Sequence, residues 1–257
     1  MQRPVKRTYQ PWLTVEINRK GVIDIDTVKG CTLGMRAHPD GGCYGECYAC
    51  KTATRYGIDF SQSVTRRLHT NWHKSTLCKL LAETGVSWYR VGTAGDPSHD
   101  WHNTVTVIKA LWPMKMTPVV ITKCWIPPTD DELSLMQRCG VVVNVSVSAL
   151  DTDAELAHRL AQRKRFIDAG LRTVLRVVTC EFGSSPWARE RASVQADLLS
   201  MTPVIDNPLR ASASNPLVLS GDVILTRCPE SVGGGKLVSV HDDGVYLGRC
   251  RDCPDQC

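Results

Sequence analysis

The chain has 257 residues, 42% of them hydrophobic, with a net charge of +5 and 12 cysteines. That length suits one sizeable domain with an appendage, and the mild positive balance permits a polyanionic partner without requiring one. No run approaches the roughly 18–20 apolar residues of a membrane span, so no membrane association is expected.

Met1 to Gln10 is charged and has no apolar run behind it, unlike a secretory leader. Cysteine abundance without such a leader points to a reducing, cytoplasmic setting, where metal binding explains clustered cysteines better than disulfides do. Residues 1–21 read as a basic N-terminal arm, with Arg3, Lys6, Arg7, Arg19 and Lys20 around Trp12. A solvated extension and a nucleic-acid contact are both open for it. Val22 to Val28 alternates apolar and polar residues and predicts a first strand. It leads through Gly30 and Cys31 into Gly41-Gly42-Cys43-Tyr44-Gly45-Glu46-Cys47-Tyr48-Ala49-Cys50.

Ser75 predicts the N-cap of a helix whose Leu77, Leu80 and Leu81 share a face and which Gly85 stops. Val86 to Val91 is a second strand, ending in Gly92-Thr93-Ala94-Gly95-Asp96-Pro97, and a helix follows from about Asp100 to Leu111. Pro118 to Thr122 is a third strand; Thr129 and Glu132 form the capping box of a helix that Gly140 closes. Val141 to Ala149 is a β-branched fourth strand, and Thr152 with Glu155 caps the longest helix, which runs to Gly170. On that helix His158, Arg159, Arg163, Lys164 and Arg165 read as a solvated face. Leu171 to Thr179 is a fifth strand, Ser185-Pro186 opens another helix to about Leu199, and Pro203 to Asp206 is a sixth strand. Cys78, Cys124, Cys139 and Cys180 stand singly, and buried packing is the default for them. His99, Trp101 and His102 are open between facing a substrate and serving as caps or surface residues.

Strands alternating with helices predict an α/β fold with a parallel sheet. About six βα units over residues 22–210 are too few for a closed eight-stranded barrel. Residues 211–257 change character. Gly233-Gly234-Gly235 is a linker, and Lys236 to Val240 with Val245 to Arg249 flank a turn at His241-Asp242-Asp243-Gly244, a hairpin signal. With Cys228, Cys250, Cys253 and Cys257 this reads as a small cysteine-rich hairpin module in which a metal supplies the stability a core cannot. Zinc and an iron–sulfur cluster are both open there.

Cys43, Cys47 and Cys50 stand at C-x3-C-x2-C spacing. Three thiolates on one short loop, with no fourth ligand in the local set, suit an iron–sulfur cluster that keeps one iron open. A structural zinc wants four ligands, the fourth then coming from Cys31 or from far along the chain.

This spacing, after a first strand, resembles the signature of the radical S-adenosylmethionine (radical SAM) enzymes, and the resemblance covers Val22 to about Arg210. It implies a partial (βα)6 barrel in which Cys43, Cys47 and Cys50 hold a [4Fe-4S] cluster whose fourth iron binds the methionine moiety of S-adenosylmethionine. Gly95-Asp96-Pro97 resembles the family's GGEP-type segment that receives the amino group, with Asp96 one methylene shorter than the usual Glu. Ser146 and Ser148, on one face of the fourth strand, resemble positions that contact the ribose or carboxylate. Arg176 on the fifth strand is placed to pair with the carboxylate. The family's aromatic near the adenine directly precedes the third cysteine; here Ala49 holds that place and Tyr48 precedes it. The implied activity is reductive cleavage of S-adenosylmethionine and hydrogen abstraction, with a reductant such as flavodoxin or ferredoxin. A second [4Fe-4S] cluster, or zinc, is implied at the C-terminus. The substrate is open among a peptide, a nucleic-acid base and a small metabolite, and no catalytic residue is assigned. A rival of another class is a non-catalytic zinc-binding protein that contacts nucleic acid.

Overall fold

The computed structural model describes residues 7–17, 21–209 and 211–225. Its elements in order are β1 (Glu16–Ile17), β2 (Ile23–Asp24), β3 (Val28–Lys29), α1 (Thr32–Ala37), α2 (Tyr48–Arg55), β4 (Val64–Thr65), α3 (Asn71–Thr84) and β5 (Trp88–Val91). There follow α4 (Trp101–Leu111), β6 (Thr117–Thr122), α5 (Asp130–Arg138), β7 (Val142–Val147), α6 (Asp153–Asp168) and β8 (Arg172–Val177). The last are β9 (Glu181–Phe182), α7 (Pro186–Ser200), β10 (Val204–Asp206), α8 (Pro216–Leu219) and β11 (Val223–Ile224). The protein is mixed α/β, and none of its described helices is long and apolar enough to cross a membrane.

The main sheet has seven strands in the order β1-β2-β5-β6-β7-β8-β10. All neighbours from β2 onward are parallel; only β1 is antiparallel to its partner. Chain order and spatial order therefore coincide, each crossover stepping to the next position. One face of the sheet carries the principal core, where Tyr89, Val91, Val120, Val143, Val145, Val147, Leu175 and Val177 meet Leu77, Leu81, Val105, Ile108, Met136, Phe166 and Leu198 from the crossover helices. The alternate residues Val22, Trp88, Val119, Val142 and Val174 bury one another on the opposite face in a cluster with no helix residue among its buried members.

Local signals act where they were expected. Thr129 with Glu132 and Thr152 with Glu155 both form complete capping boxes, and Ser185, followed by Pro186, caps α7. Asp100 caps α4 by accepting from Asn103 N. Ser75 is a correction: α3 begins at Asn71, so Ser75 lies inside the helix. The first strand also differs, since β2 and β3 divide the stretch between them.

The basic arm is a second correction. Leu13 is fully buried in the principal core, β1 pairs with β2, and Arg7 and Trp12 bridge Ile58 and Arg67. Residues 7–17 are thus part of the domain, because one deeply buried leucine and a strand pairing outweigh the solvation of a few cations. At the other end, β11 pairs with β9, so residues 211–225 pack with the sheet domain and the boundary at 210 does not fall there. Cys228, Cys250, Cys253, Cys257 and the expected hairpin lie outside the described residues.

Candidate functional site

The cysteine loop joins α1 to α2, on the segment that leaves β3. Its backbone is left-handed at Gly41, Gly42, Tyr44 and Gly45, with φ of 87°, 77°, 60° and 70°. At Gly42 an added Cβ would stand 2.7 Å from Cys47 Cβ and 3.6 Å from Cys47 Sγ, so only glycine lets the loop close over that thiol. Cys47 is the N-cap of α2, where its sulfur meets free N–H groups of the first turn, and Cys50 lies in that turn. Burial pushes the Cys47 thiol up to about 11, against the pull of the Cys50 and Ala49 backbone N–H groups. Burial likewise raises Cys43, while the positive charges of Lys123 and Arg159 pull it down. In the metal-free chain these groups are thiols, and a metal must displace their protons to bind.

Among the described residues no three His, Cys, Asp or Glu side chains are grouped to hold a single metal ion. A four-iron cluster has an iron for each thiolate and is served by sulfurs set wider apart. Cys43, Cys47 and Cys50 stand on one short loop that Gly41 and Gly42 allow to close tightly. The donor set of three half-buried or buried thiols fits such a cluster.

Next to the loop is the turn after β5. Asp26, 2% exposed, accepts from Gly92 N (2.9 Å), Thr93 N (2.7 Å), Thr93 Oγ1 (2.8 Å) and Ala94 N (3.0 Å), which fixes the turn from the end of β2. Gly30 N donates to Ala94 O at 3.0 Å, and a Cβ on Gly95 would fall 2.6 Å from Val28 O and 2.7 Å from Gly30 O. Gly95 is therefore needed for the turn to lie against the strand that feeds the cysteine loop. Tyr48 closes the contact from the loop side, its hydroxyl donating to Thr93 O. The ring of Tyr48 is 63% exposed, while its hydroxyl end lies within reach of the charges of Asp26, Arg90, Asp24 and Arg176.

Asp96 does not present a vacant carboxylate. Its Oδ1 accepts from Ser98 N (2.9 Å) and Thr122 Oγ1 (2.6 Å), its Oδ2 accepts from Lys123 N (2.8 Å), and the residue is 6% exposed. Asp96 ties the end of β5 to the end of β6. Ser148 is also fully engaged and buried, donating to Val178 O at 2.7 Å and accepting from Leu150 N at 3.2 Å. Ser146 and Arg176 are register partners on adjacent strands, and Arg176 donates to Asn207 Oδ1 at 3.0 Å. They share the face that carries Arg90, held by Asp24 through two hydrogen bonds of 2.8 and 3.1 Å. The structure thus sets Tyr48, from the cysteine loop, against the turn that holds Gly95, and places Ser146 beside Arg176 toward the carboxyl ends of β7 and β8, while Cys43, Cys47 and Cys50 share one loop.

His99, Trp101 and His102 do not form a substrate wall. Trp101 is 4% exposed in the core with its Nε1 bonded to Ile126 O, and His102 points outward on α4. His99 is half-buried, and burial lowers its affinity for a proton. On the expected solvated face of α6, Lys164 is exposed, but Arg159 is a correction, since its side chain is 1% exposed and pairs with Asp151.

Asp26 and Glu46 were given no role in the sequence analysis. Asp26 had one signal, an acid repeated in an otherwise apolar strand. Glu46, inside the cysteine motif, accepts from Ser212 N (2.7 Å), Ser212 Oγ (2.6 Å), Asn215 Nδ2 (3.2 Å) and Lys51. Burial would raise this carboxylate, but the bonds from Lys51, Ser212 and Asn215 together hold it at about 2. Asn215 also donates to Tyr44 O at 2.8 Å, so residues 211–215 are latched across the loop. No local pattern announces a partner so far along the chain.

Compared with known proteins, the chain matches no protein-family model and no curated protein.

Proposed function

We propose that this chain is a radical SAM enzyme built on a partial (βα)6 barrel. The observation that carries the proposal is the placement of Cys43, Cys47 and Cys50 on one glycine-shaped loop packed against the turn that ends the second parallel strand. The sheet supports it. Strands β2, β5, β6, β7, β8 and β10 stand in chain order, and helix residues line the principal core on one face only. A sheet whose other face buries Val22, Trp88, Val119, Val142 and Val174 with no helix residue among them is consistent with inward curvature. An open six-stranded barrel has that form, and ligands of such folds collect beyond the carboxyl ends of the strands.

Cys43, Cys47 and Cys50 would hold a [4Fe-4S] cluster, which supplies one electron for cleaving S-adenosylmethionine into methionine and a radical that takes hydrogen from a substrate. Asp26 fixes the turn whose backbone carbonyls would receive the amino end of the cofactor in place of the occupied Asp96 carboxylate, with Thr93 O and Ala94 O already accepting from Tyr48 and Gly30 N. Tyr48 offers an exposed ring beside that turn for the adenine. Ser146 and Arg176 offer a hydroxyl and a guanidinium for the ribose and carboxylate. Cys228, Cys250, Cys253 and Cys257 would make the second metal site, as [4Fe-4S] or zinc.

The test is anaerobic reconstitution of the full chain with iron and sulfide, followed by S-adenosylmethionine and dithionite. A brown, cluster-loaded protein should form 5′-deoxyadenosine, and replacing Cys43, Cys47 and Cys50 together with Ala should abolish it. A colourless protein that binds only zinc, or a triple variant that still forms the product, overturns the proposal.

A further inference from the structure

The cysteine loop is gripped just after its first cysteine by a buried group of charges to which the chemistry above gives no task. Tyr44 follows Cys43 directly and holds φ at 60°, a left-handed backbone that a tyrosine keeps only when its surroundings fix it. Its hydroxyl donates to Asp151 Oδ1 at 2.6 Å and accepts from Lys123 Nζ at 2.6 Å, and the same ammonium lies 4.7 Å from its ring centroid. Lys123 comes from the end of β6 and is followed by Cys124, another left-handed residue with φ of 50°. Both ends of the Lys123–Tyr44 contact therefore sit on or beside strained backbone.

The group continues inward. Asp151 has a side chain of 0% exposure, pairs with Arg159, and accepts from Ser148 N at 2.9 Å. Arg159 lies 4.9 Å from the Trp125 ring and 3.4 Å from Glu155, and Glu155 meets His38, the residue that ends α1 before the cysteine loop, at 3.3 Å. The loop is thus tied at Tyr44 and at His38 to the ends of β6 and β7 and to α6. Two cations, Lys123 and Arg159, and two carboxylates, Asp151 and Glu155, take part, and the Lys123 ammonium is bonded to the hydroxyl of the residue that follows Cys43.

We propose that Lys123, backed by Asp151 and Arg159, is a positioning residue for the metal centre. It clamps Tyr44, so that Cys43 is presented in one orientation, and it leaves a positive charge beside that ligand. This rests on Cys43, Cys47 and Cys50 being cluster ligands. A salt bridge that served only to hold the fold would lack the second effect. A nearby positive charge favours the more negative, reduced form of a cluster, so deleting it lowers the reduction potential.

Two measurements on the full chain test this, with the variants K123M, K123R and Y44F. In the metal-free chain, hydrogen exchange of the peptide spanning residues 38–47 should quicken about tenfold in K123M and Y44F, while peptides of the principal core stay unchanged. K123R, which keeps the charge and a donor, should restore slow exchange. In the iron-loaded chain, K123M should take up wild-type iron but show a lower midpoint potential and an altered electron paramagnetic resonance signal of the reduced cluster, both reversed in K123R. Wild-type exchange in K123M and Y44F overturns the clamp, and an unchanged potential in an iron-loaded K123M overturns the electrostatic role. If the wild type itself takes up no iron, it is the metal reading that fails. If K123M does not fold, K123R and Y44F still decide, because Y44F deletes one oxygen and leaves every charge in place.

Discussion

Asp26 collects four donors of the turn after β5, three of them backbone N–H groups. Asp26→Ala strands those groups in a buried turn and should cost about 2–4 kcal/mol of stability, read as a lower urea midpoint of the metal-free chain. Asp96→Ala removes the acceptor of Ser98 N, Thr122 Oγ1 and Lys123 N, so it too should lower the unfolding midpoint, by about 1–3 kcal/mol. A loss of S-adenosylmethionine affinity in that variant with an unchanged midpoint would restore the carboxylate to a ligand role. Gly42→Ala puts a methyl 2.7 Å from Cys47 Cβ at a φ of 77°. Iron uptake by the loop should fall by more than about tenfold there, with little change in the far-ultraviolet spectrum.

At the scale of elements, the short pieces at the chain's ends are held by specific side chains. Glu16 on β1 pairs with Lys29 at 2.5 Å and lies 3.7 Å from Arg66. Partial burial pushes this carboxyl up, but Lys29, Thr14 and Arg66 together bring it below the usual carboxylate range. A carboxylate whose folded pKa is depressed contributes stability that is present above its unfolded pKa and lost as pH falls through the folded one. Hydrogen exchange across residues 7–17 should therefore quicken as pH falls below about 4–5, after correction for intrinsic rates, and Glu16→Gln should flatten that dependence. A pH response equal in wild type and variant would assign the docking to Leu13 alone. At the other end, Asn215→Ala removes the bonds to Tyr44 O (2.8 Å) and Glu46 Oε1 (3.2 Å) and the cap on Leu217 N (2.9 Å). Proteolysis within residues 211–225 should speed up about tenfold, and wild-type resistance would mean that the β9–β11 pairing holds the segment unaided.

For the whole molecule, the seven-stranded sheet and the apolar clusters on its two faces lie within the described residues, whereas the second cysteine set lies outside them. Deleting residues 250–257 should leave the domain folded and the loop centre loaded. It should remove a second complement of metal, about four irons or one zinc per chain. Metal content that does not change on truncation would leave Cys250, Cys253 and Cys257 as ordinary thiols.

What the sequence determined by itself is what neighbours within a few residues decide. The caps at Thr129, Thr152 and Ser185, the alternation of strands and helices, and the spacing of Cys43, Cys47 and Cys50 all depend on backbone geometry over one or two turns. What the tertiary structure decided is who meets whom across long separations. Asp26 and Asp96 are both acids at strand ends, yet only the packing of β2, β5 and β6 shows that each is filled by donors from the turns between them. Arg159 belongs by sequence to a charged helical face, and it is buried because Asp151, from the loop after β7, is placed to neutralise it. Glu46 and Ser212 are 166 residues apart, and their bond closes only once the sheet has brought residues 211–215 to the cysteine loop. Periodicity records which face of an element is apolar; it carries no record of the partner that a polar group will find there.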